Sequence, residues 1–104
     1  MKQPYTGSVM RHATPATLDT IEDLLDRIRQ RPELRERKRG AFYRKSSGFL
    51  HFHEDPAGLF ADVKTGAKGF ERFKVDTDEE REAMLAAVGA ALTANLHQQG
   101  PKIV

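Results

Sequence analysis

The sequence predicts an α+β two-layer sandwich, in which a helix, a four-stranded antiparallel meander sheet and a second helix follow one another with both helices on one sheet face. Three observations carry this. Apolar residues recur at helical spacing within residues 14–30, the period falls to two within residues 41–75, and helical spacing returns beyond Asp76. A chain of 104 residues has room for one core. Residues 1–13 are expected as a flexible arm pinned by Val9 and Met10, residues 14–100 as the single domain, and residues 101–104 as a tail.

The first helix starts well at Thr14 and Pro15, because the threonine hydroxyl can accept from a free amide and proline at the first helical position loses no hydrogen bond. Leu18, Ile21, Leu24, Leu25 and Ile28 form its apolar stripe, with Asp19, Glu22, Asp23 and Asp26 on other faces. Pro32 ends it, since the residue before a proline avoids helical geometry, and "PELRERKRG" then offers at most a short turn around Leu34. "AFYRKSS", "FLHFHE", "LFADVKT" and "GFERFKV" read as four strands separated by "SG", "DPAG" and "TGAKG". Connections this short exclude parallel crossovers. Thr77 and Glu80 are spaced as a capping box at the start of the second helix, with Asp78, Glu79 and Glu80 favouring its positive end. Met84, Leu85, Val88, Leu92 and Leu96 supply its buried stripe, and Gly100 with Pro101 stops it.

Composition narrows the function classes. With no cysteine, disulfides and thiolate metal sites are excluded. No apolar stretch approaches the roughly 20 residues that cross a bilayer, and the N-terminus lacks the hydrophobic core of a secretory signal. The expectation is a cytoplasmic protein without membrane attachment. The net charge of +2 hides a local imbalance, because residues 27–45 hold nine basic residues against Glu33 and Glu36. That segment fits phosphate contacts, with Phe42 and Tyr43 available for stacking. Equally, its arginines can pair with the acidic helix faces.

"FLHFHEDPAG" is the most unusual stretch. Strand alternation sends Phe49, His51 and His53 to one face and Leu50, Phe52 and Glu54 to the other. Pairing Asp55 with Gly58 sets His51 opposite Asp62, with His53 and Phe60 alongside. A bulged turn at Asp-Pro-Ala-Gly would instead slip the ladder by one and put His51 opposite Val63. Matching of apolar residues favours the first register, because the second buries Asp62 beside Phe52. His51, His53 and Asp62 then suit a metal site or an acid-base pair, although a metal needs further ligands and His12 and His97 lie in the arm and at a helix end. The plainer alternative is an amphipathic strand on a solvated or subunit-covered face. Ser46 and Ser47 lack the turn-to-helix setting of a nucleophilic serine and read as turn formers. "TGAKG" precedes a strand, which a phosphate-binding loop does not.

The stretches "GAFYRKSSGFLHFHEDPAGLFADVK" and "FERFKVDTDEEREAML" resemble an uncharacterised family of small bacterial proteins over about residues 17–90, a likeness that brings no activity and no functional residues. The element order is also similar to the frataxin-like topology of small bacterial proteins for which DNA binding has been suggested. The leading functional expectation is a non-enzymatic binding or regulatory domain without a cofactor, forming a homodimer and recognising a protein partner through the open sheet face. Its candidate residues are Arg44, Lys45, His51, His53, Phe60, Asp62, Lys64 and Arg72. Nucleic-acid or anion binding through residues 27–45, and a metal or acid-base site on the histidine strand, are the alternatives.

Overall fold

The computed structural model describes residues 10–66 and 69–99. It shows an α+β fold of three helices and a six-stranded antiparallel sheet. In chain order these are β1 (Arg11–His12), α1 (Pro15–Asp19), α2 (Glu22–Arg29), β2 (Arg35–Lys38), β3 (Ala41–Arg44), β4 (Ser47–Asp55), β5 (Gly58–Gly66), β6 (Gly69–Lys74) and α3 (Asp78–Gln99). The sheet order is β2-β3-β4-β5-β6, and β1 pairs with the end of β4.

The expected four strands and two helices are thus corrected in three places. The first helix divides, because Ile21 has φ −123° and ψ 27° and the Thr20 hydroxyl donates to the Thr17 carbonyl at 2.6 Å instead of leaving the helix to continue. The split lets Leu18 and Ile21 both reach the core. Thr14 still caps α1 as expected, accepting from the Thr17 amide at 3.2 Å. The segment expected as a turn forms β2, a charged edge strand whose side chains discourage pairing with other chains. Glu36 anchors it, accepting from Arg29 at 2.6 Å and from the Gly40 amide at 2.8 Å. Within the stretch expected as an arm, Arg11 and His12 form β1, held by the Arg11 to Glu54 ion pair at 2.9 Å and by the Ala13 amide on the Phe52 carbonyl. Residues 1–9 and 101–104, with Val9, Lys68, Gly100 and Pro101, lie outside the described residues, as do the side chains of Leu96 and His97.

One contiguous core cluster joins Leu18, Ile21, Leu25 and Ile28 to Met84, Val88 and Leu92, and to Phe42, Leu50, Phe52, Leu59, Ala61 and Val63 of the sheet. Phe49 belongs to this core at 2% exposure, not to the histidine face where alternation put it. Its neighbours explain why. Phe42 pairs with Leu50 and Tyr43 with Gly48, so Phe49 is the extra residue of a bulge, and alternation restarts only at Leu50. The capping box forms as the spacing predicts: the Thr77 amide donates to Glu80 Oε1 at 3.0 Å and the Glu80 amide to Thr77 Oγ1 at 3.1 Å. No described helix is long and apolar enough to cross a membrane.

Candidate metal centre

The β4–β5 ladder takes the register that apolar matching favours: Leu50 faces Val63, His51 faces Asp62, Phe52 faces Ala61 and Asp55 faces Gly58. The turn needs no bulge, since Asp55 Oδ1 accepts from the Ala57 amide at 2.7 Å and Gly58 absorbs a φ of +145°. Directly paired residues share a sheet face, so two rows of side chains cross the face opposite Leu50, Phe52 and Ala61. One row runs His12, His53, Phe60, Lys74; the other runs Ala41, His51, Asp62, Arg72.

Asp62 is the buried charge of the molecule at 8% exposure among the described residues. Arg72 satisfies it with a two-pronged contact, Nε to Oδ1 and Nη2 to Oδ2, both at 2.8 Å. That guanidinium holds the Asp62 carboxyl below the usual carboxylate range, against the opposing effect of burial. The histidines are not satisfied. His53 Nδ1 lies 3.2 Å from Asp62 Oδ2 but is poorly aimed, and the Nδ1 atoms of His51 and His53 are both buried without a hydrogen-bond partner. Burial lowers the pKa of both imidazoles; the neighbouring His53 adds to the effect at His51, while Asp62 opposes it at both. Neutral imidazoles at neutral pH are the form that binds metals.

The spacings of the His53 ring from His51 and from His12 suit coordination, and the His12–His51 spacing is wider. Metal–nitrogen bonds of about 2 Å in a tetrahedral arrangement put imidazole centres about 5 Å apart. His51 and His53 lie 4.8 Å apart edge to face, His12 and His53 4.7 Å apart, and His12 and His51 6.3 Å apart. Ligating atoms of His51, His53 and Asp62 all fall within 4.8 Å of one another, a group to which His12 does not belong. Each Asp62 oxygen keeps a lone pair beyond the one Arg72 uses.

His51, His53, Asp62 and Arg72, among the candidates read from the sequence, come together here. Phe60 sits beside His53 with the Lys74 ammonium 5.8 Å over its ring. Arg44 and Lys45 stand at the β3–β4 turn, and Arg44 pairs with Ser47, about 13 Å along the strand from His51. Lys64 reaches that same end, donating to Ser47 Oγ at 3.3 Å. Those three are not part of the cluster. Two residues were missed: His12, and Phe70, whose ring is 5.3 Å from His51. His12 reads from the sequence as part of the arm, because a two-residue strand has no periodicity to place it beside the histidine hairpin. In the basic segment, Arg27 pairs with Glu82, Arg29 with Glu22, Asp26 and Glu36, and Arg39 with Asp19 and Glu22. A third of its cations are therefore neutralised internally.

Compared with known proteins, the chain matches no protein-family model, and no curated protein or solved structure is significantly similar to it.

Proposed function

We propose that this protein is a small binding domain for a divalent transition metal, zinc by its ligand chemistry, held by His12, His51, His53 and Asp62 on the sheet face that the helices leave open. The observation that supports it most is the pair of buried Nδ1 atoms without partners, because an orphaned buried polar group of this kind costs about 1–3 kcal/mol unless something satisfies it. An acid-base pair is the weaker reading of the same residues: Arg72 takes both Asp62 oxygens, and His53 Nδ1 meets Asp62 Oδ2 only at 3.2 Å and at a poor angle. Protein without a histidine tag should carry zinc by elemental analysis, or take up about one equivalent on titration with a rise in melting temperature. His51→Ala should abolish the uptake. Absence of bound zinc together with unchanged melting on zinc addition would overturn the proposal.

A second reading is supported by Phe70, an aromatic side chain 47% exposed beside His51. An exposed aromatic side chain on this sheet face suits a contact with a second copy of the chain, the homodimer that the small core suggests. Sedimentation of wild type and Phe70→Ser tests it: a dimer lost in the variant supports the contact, and a wild-type monomer removes it.

A further inference from the structure

β1 and β3 both lie on the same side of β4, one pairing at Glu54 and His53, the other between His51 and Ser47. The β2–β3 hairpin and β1 therefore leave a notch, and a cavity of about 690 Å³ fills it. That size is ordinary for a small-molecule pocket. Its lining is chemically one-sided. Arg37, Lys38 and Arg39 contribute three consecutive cations, His12 and His51 border it, and no carboxylate among the described residues lines it. The other large cavity, about 710 Å³, is mixed, with Glu54, Asp55 and Asp76 beside Arg11 and Arg81.

The three cations are unequally engaged. Arg39 is taken by Asp19 at 2.9 Å and Glu22 at 2.7 Å. Arg37 meets no carboxylate among the described residues: it stacks 4.6 Å over the Tyr43 ring and donates to the Lys45 carbonyl at 3.3 Å. Lys38 has neither an ion pair nor a side-chain hydrogen bond among the described residues. Two positive charges thus stand at the notch with no counter-charge among the described residues. The apolar part of the lining that solvent reaches is Ala13, Ala41 and Tyr43, backed by the buried Leu18, Phe42, Leu50 and Phe52.

We infer that this notch binds a small organic anion, a phosphate or carboxylate group on an apolar or aromatic body, with Lys38 and Arg37 taking the charged group and the apolar lining taking the body. The site goes beyond the metal centre: it shares His12 and His51 as borders but requires no metal.

Calorimetric titration in the presence of EDTA separates the two claims, since metal is then absent whether or not the centre exists. Phenyl phosphate and benzoate serve as the two anionic probes, inorganic phosphate as the probe lacking a body. Binding of at least one organic probe is expected, about tenfold or more tighter than inorganic phosphate, and weakened about tenfold by Lys38→Ala and further by Arg37→Ala. Which organic probe binds more tightly identifies the charged group. Amide shifts confined to residues 12, 13, 40–43 and 51 would place the probe in the notch, and both variants are at exposed positions where folding is retained. Absence of heat with both organic probes, or equal affinity in the Lys38→Ala variant, would overturn the inference.

Discussion

His12→Ala isolates the one proposed ligand that lies outside the histidine hairpin. The side chain is exposed, so its removal should change metal-free stability by no more than about 0.5 kcal/mol. Its effect on zinc should be large. Structural zinc sites with four ligands contribute about 10–16 kcal/mol, or roughly 3 kcal/mol for each ligand, which is about 100-fold in affinity. At free zinc about 100 times the wild-type dissociation constant, wild type gains about 2.7 kcal/mol of stability and the variant only about 0.4. For a domain of this size that is about 10–20 °C of melting temperature against about 2–3 °C. Thermal unfolding with buffered zinc, beside the same scans in EDTA, reads both quantities. Equal zinc-induced shifts in the two proteins would refute the assignment of His12 as a ligand.

Four further outcomes follow from particular contacts. Arg72→Ala leaves Asp62 buried without its guanidinium and should cost the metal-free protein about 1–3 kcal/mol by urea unfolding, yet it should tighten zinc, because a competing positive charge beside the site is gone. The lowered pKa values of His51 and His53 mean that the unfolded chain binds protons more readily than the folded one below about pH 6.5. Metal-free stability should therefore be fully present above pH 6.5 and fall as pH drops towards the folded-state values, and the His51→Ala/His53→Ala double variant should flatten that slope in melting scans between about pH 7 and 5. Gly58→Ala forces φ +145° on a side chain and drives its Cβ into the Asp76 carboxylate and to 2.8 Å from the Lys74 ammonium, so a loss of about 1–3 kcal/mol or more is expected in denaturant unfolding. Thr77→Ala removes one half of the capping box and should cost about 1 kcal/mol in the same assay, recovered largely by Thr77→Ser.

The parts of this fold legible in the sequence are those where one local rule acts alone. Apolar alternation in Leu50, Phe52, Ala61 and Val63 was enough to select the register that sets His51 opposite Asp62, because slipping it would have buried a carboxylate against Phe52. Thr77 and Glu80, and Thr14 with Pro15, likewise carry their caps within four residues. The parts that were not legible depend on distant partners. β2 is a strand of Arg, Glu, Arg and Lys with no apolar period, and it exists because β3 offers an edge and Arg29 grips Glu36. Ile21 breaks a helix that its own spacing supports. Phe49 enters the core through a bulge, which no alternation rule foresees. The candidate site divides in the same way: His51, His53 and Asp62 share one hairpin and were readable, whereas Arg72 gained its meaning only from its pairing with Asp62, and His12 only from a two-residue ladder 41 positions away in the chain.

X-ray absorption at the zinc edge of the loaded, tag-free protein tests the coordination directly. Three imidazoles and one carboxylate predict a four-coordinate shell of nitrogen and oxygen at about 2.0–2.1 Å with the outer-ring scattering of histidine, and that scattering should diminish in His53→Ala. A shell of oxygens without imidazole scattering, or a spectrum that His53→Ala leaves unchanged, would contradict a metal centre on this sheet face.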